Sequence, residues 1–75
     1  MNEEGFNLEI RRFLKRFGVT AQREIEKAVE AAIKSGALKG QEVLSVRATL
    51  TMPGVLPAVQ IDGEIALAAQ GPASP

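Results

Sequence analysis

Asp62 and Glu64, in the stretch VQIDGEIAL, project from the same side of an extended chain. The strand rise sets them roughly 7 Å apart, a separation at which two carboxylates can hold a cation or divide acid and base roles. The chain contains no histidine and no cysteine, so the usual general base, the commonest neutral metal ligand and every thiolate are missing. With no further carboxylate close by in sequence, the pair reads as a solvated strand face. Ser45, Thr49 and Thr51 offer hydroxyls without an identifiable base to activate them, and they read as β-forming residues on that same face. The sequence therefore points away from an enzyme, with no catalytic residue, no cofactor and no metal site.

A second cluster is basic: Arg11, Arg12, Lys15 and Arg16, followed by Gly18-Val19-Thr20 and a further helical run. This looks like a helix-turn-helix unit. In DNA-reading units of that kind, the positions about six and nine residues beyond the turn glycine are apolar and buried. Here they are Glu24 and Lys27. The second run balances Glu24, Glu26 and Glu30 against Arg23, Lys27 and Lys34, leaving no excess charge to meet phosphates. Nine basic residues also match nine acidic ones over the whole chain, so nucleic acid is not an expected partner. Leu8 is apolar on the same side as the basic cluster, which makes Leu8, Arg11, Arg12, Lys15 and Arg16 the candidate partner contact.

The elements that position these residues follow from periodicity. Phe6, Ile10, Phe13, Leu14 and Phe17 form one stripe at about 100° per residue, the mark of a helix. Asn2 is placed to cap it and Glu3 and Glu4 lie in its first turn. Gly18 in a left-handed C′ position would end it, with Val19 packing back on Leu14 and the basic cluster in its last turns. Thr20 would then cap a second helix whose apolar side is Ala21, Ile25, Ala28, Val29, Ala32 and Ile33, ending at Ser35-Gly36. The expected product is an αα-hairpin in which phenylalanines lie over alanines.

After Lys39-Gly40 the period changes to two. Leu44, Val46, Ala48, Leu50 and Met52 alternate with polar residues, as do Val59, Ile61, Gly63, Ile65 and Leu67. Pro53-Gly54 is a type II turn pair, so the two runs form an antiparallel hairpin with one wet face and one dry. Pairing Leu50 with Ile61 sets Arg47 against Glu64, and a register two residues tighter sets it against Asp62; both preserve the faces. Asp62-Gly63 as a tight turn, giving three strands, is the competing reading. The expected fold is α+β, in the order helix, helix, strand, strand, with the β-hairpin packed on the αα-hairpin. Residues 1–68 would form one domain and 69–75 a disordered tail.

A domain of this size buries only about 60% of its unfolded surface, and a two-stranded sheet leaves both edges open. Homodimerisation through a β-strand edge or strand addition by a protein partner would cover one. A monomer protected by twist, Pro57 and charge is the alternative. The acidic start MNEEGF does not resemble a signal peptide, and no apolar run reaches the roughly 20 residues that span a bilayer, so a complete, soluble, cytoplasmic protein without a membrane partner is expected.

The segments MNEEGFNLEIRRFLKRFGVTAQREIEKAVEAAIKSGALKG and DGEIAL resemble a family of short proteobacterial proteins classed as a domain of unknown function, with GVTAQREIEKAV the most specific part. The resemblance implies a bacterial, cytoplasmic, single-domain protein and brings no activity or binding residue with it. The expected role is a small non-enzymatic interaction or self-associating module. The second expectation is a weak nucleic-acid binder using the basic face of the first helix.

Overall fold

Asn2 starts the first element as expected: its side chain accepts a hydrogen bond from the Gly5 amide at 2.9 Å, while its carbonyl accepts from Phe6 at 2.9 Å. The helix that follows, α1, runs without interruption over Glu3–Ser35 in the computed structural model, which describes residues 1–68. This corrects the expected two-helix αα-hairpin. Gly18 does not take the left-handed conformation, which among the described glycines belongs to Gly36, Gly40 and Gly54. Thr20 lies inside the helix and caps nothing.

The physical reason is local. One glycine in a helix interior costs about 1 kcal/mol, whereas a corner at Gly18-Val19-Thr20 would break several successive backbone hydrogen bonds. Strong helix formers on both sides outweigh the weak run Gly18-Val19-Thr20. Arg11, Arg12, Lys15 and Arg16 consequently sit in the first half of α1, far from the negative end of its dipole, and Lys34 occupies the last turn. Gly36 closes the helix with φ 86°, its amide donating to the Ile33 carbonyl at 3.1 Å.

Strands β1 (Val43–Met52) and β2 (Leu56–Ala66) form a two-stranded antiparallel sheet. Gly54, at φ 79°, and the Val55 amide bonded to the Met52 carbonyl at 2.9 Å make the type II turn that Pro53-Gly54 encodes. Asp62 and Gly63 continue β2 and do not turn. The register is the tighter of the two expected: Arg47 faces Asp62, Ala48 faces Ile61 and Leu50 faces Val59.

Near the turn the pairing is offset, with Met52 opposite Leu56, so that Pro57 and Ala58 together oppose Thr51. This bulge matters because continuing the offset would place Arg47 against Ile61, wet face against dry. One extra residue in β2 restores the match, and proline, which has no amide to donate, is tolerated there.

The described residues fall into two units, Met1–Ala37 and a second beginning at Leu38. No residue of α1 is buried. In the hairpin Leu44, Val46, Ala48 and Leu50 are half-buried and alternate with exposed neighbours, while Val59 and Ile61 on β2 are exposed. The expected tail, 69–75, lies outside the described residues.

Candidate functional site

Because α1 is continuous, most of its apolar residues form one stripe along it, with Leu8, Val19, Val29 and Ile33 outside that stripe. Phe6, Ile10 and Leu14 step by four and four residues, a step of three leads to Phe17, and Ala21 and Ile25 repeat the spacing. Ala28 and Ala32 begin it again. Thirty-three residues at about 1.5 Å each make α1 about 50 Å long. Phe6, Phe13 and Phe17 are 50%, 51% and 47% exposed, and the rings of Phe13 and Phe17 stack with centroids 6.5 Å apart and planes inclined by 23°. The stripe is thus bulky in the first half of α1 and small in the second.

Leu8, Arg11, Arg12, Lys15 and Arg16 occupy the opposite side of the same helix, all exposed, with Leu8 at 47%. Their spacing of three, four and seven residues does bring them onto one surface. Val19 joins this surface eleven residues after Leu8, since it no longer turns back toward Leu14. Arg12 donates to Glu9 at 3.0 Å, which neutralises part of the cluster. Further ties of the same local kind run from Gln22 to Glu26 at 3.0 Å and from Lys27 to Glu24 at 3.5 Å.

On the wet face of the hairpin Arg47 reaches Asp62 with Nε to Oδ1 at 2.7 Å and Nη2 to Oδ2 at 3.3 Å. One carboxylate of the Asp62 and Glu64 pair is therefore engaged by a guanidinium, and Glu64 lies opposite Ser45. Among the described residues no group of three or more acidic, histidine or cysteine side chains could hold a metal ion.

Glu42 is a feature that periodicity did not single out. Its carboxylate accepts from the backbone amides of Lys39 (2.9 Å), Gly40 (3.0 Å) and Gln41 (3.2 Å). These bonds, that from Lys39 foremost, hold its carboxyl below the usual carboxylate range. The amide concavity, shaped by Gly40 at φ 101°, is filled by the chain's own side chain. Its sequence signal was the Gly40 placed two residues before an acid.

No helix is long and apolar enough to cross a membrane among the described residues. A family model described as a family of unknown function, DUF6494, matches residues 1–68. No curated protein and no solved structure matches the chain.

Proposed function

The chain belongs to the family of unknown function DUF6494, and on that premise we propose that it is a small non-enzymatic module that works by associating with a copy of itself. The observation that carries this reading is the exposed phenylalanine stripe of α1, a helix in which no residue is buried. Amphipathic helices draw most of their stability in water from covering such a face, and an isolated two-stranded hairpin is marginal on its own. Each unit taken by itself therefore gains from a partner. A bacterial, cytoplasmic setting belongs to the same proposal, supported by the resemblance of residues 1–40 to short proteobacterial proteins.

Size exclusion with multi-angle light scattering tests the proposal. The expected result is a mass of two chains or more that falls on dilution. A single-chain mass at every concentration would remove it.

A further inference from the structure

The spacing along α1 specifies how two copies meet. Steps of four, four and three residues close an eleven-residue repeat: Phe17 lies eleven residues after Phe6, and Ala28 eleven after Phe17. Eleven residues in three turns is 3.67 per turn, slightly above the 3.6 of a straight helix, so a seam of this period winds its helices with a gentle right-handed supercoil. A heptad seam would wind the other way.

Side-chain size then chooses the direction. In a parallel pair each phenylalanine level would meet its own copy, while Ala21, Ala28 and Ala32 would meet alanines, forcing the axes apart at one end and leaving voids at the other. In an antiparallel pair centred at the level of Val19, Phe6 meets the partner's Ala32 and Ile10 meets the partner's Ala28. Phe17 then meets the partner's Ala21. Large opposes small at these three levels, while Leu14 lies level with the partner's Glu24 and Ile25 with the partner's Phe13. On the flanks of this seam unlike charges lie near one another in level: Glu9 is two residues, about 3 Å, from the level of the partner's Lys27, Arg16 two from that of the partner's Glu24, and Arg11 one from that of the partner's Glu26.

We propose that α1 is the self-association surface, forming a right-handed antiparallel helix pair with a second copy of this chain through the stripe that begins at Phe6 and ends at Ala32. The proposal rests on the self-association reading above and adds the surface, direction and register to it. The phenylalanine-over-alanine fit that an αα-hairpin would make within one chain is made here between two.

Single-cysteine variants of the full chain, Asn7→Cys and Gln22→Cys, each carrying a nitroxide label, test it by double electron–electron resonance alongside light scattering. The chain has no native cysteine, so each label is unique. The antiparallel register separates the two labels at position 7 by 24 residues, about 36 Å along the axis, and those at position 22 by six residues, about 9 Å along it. The expected result is a long distance for Asn7→Cys and a short one for Gln22→Cys. Short distances for both would indicate a parallel pair and overturn the proposal. A dimeric mass with neither pattern would place association elsewhere, for example on a strand edge, overturning this inference while leaving self-association standing. A single-chain mass with no dipolar signal in either variant would overturn both.

Discussion

Arg47 faces Asp62 across the hairpin and donates two hydrogen bonds to its carboxylate, at 2.7 and 3.3 Å. Both side chains are more than half exposed, so water screens the pair. A double-mutant cycle with Arg47→Ala and Asp62→Ala should give a coupling of about 0.2–1 kcal/mol in chemical denaturation, shrinking as salt is added. A coupling between Arg47 and Glu64 of that size, with none to Asp62, would mean the wider register.

Gly18 distinguishes a continuous helix from a corner. Beyond its chain neighbours and the helix's own adjacent backbone, no atom lies within 4 Å of where a Cβ would stand, and the backbone is helical there. Gly18→Ala should therefore stabilise α1 by about 0.5–1 kcal/mol and raise the helical signal in far-ultraviolet circular dichroism. At a left-handed corner the same change would destabilise by about 1–2 kcal/mol, so the sign alone decides.

Glu42 should give the hairpin unit an acid limb. Its folded carboxyl lies below its ordinary value because the Lys39, Gly40 and Gln41 amides favour the charged form. The stability it contributes is fully present above the unfolded value, about pH 4.3, and is lost as pH falls through the lower folded value. Glu42→Gln should flatten that part of the stability profile and expose the three amides to faster hydrogen exchange. An unchanged acid limb in the variant would assign the titration to another carboxylate.

The basic surface makes a prediction of its own. With Glu9 bonded to Arg12 and nine acidic residues balancing nine basic ones over the chain, short DNA and RNA should leave the amides of Arg11, Arg12, Lys15 and Arg16 unmoved in a chemical-shift titration at low salt. Salt-sensitive shifts centred on these residues would revive nucleic-acid binding through this face.

Most of the local structure was legible in the residues. Asn2 as cap, Gly36 as the helix end, Pro53-Gly54 as a type II turn and the alternating hairpin faces each follow from a preference acting over a few positions. Gly-Val-Thr misled because its three residues fit a corner one by one, while the stripe from Phe17 to Ala21 passes through it without losing phase. The longer signal was the decisive one, since a helix propagates more readily than it restarts. Spacing gathered Leu8 and the basic residues on one side of α1, and the continuity of α1 joined the phenylalanine and alanine stripes of the opposite side into one.

By itself the sequence determined element types, the caps at Asn2 and Gly36, the turn and the absence of histidine and thiol chemistry, because each depends on residue identity and short-range periodicity. Two outcomes belonged to the structure: the unbroken run of α1 through Gly18 and the pairing of Arg47 with Asp62. Both registers placed the same side chains on the same faces, so pattern could not separate them. The turn at Gly54 and the extra residue at Pro57-Ala58 separated them, because together they set how many residues lie between paired positions.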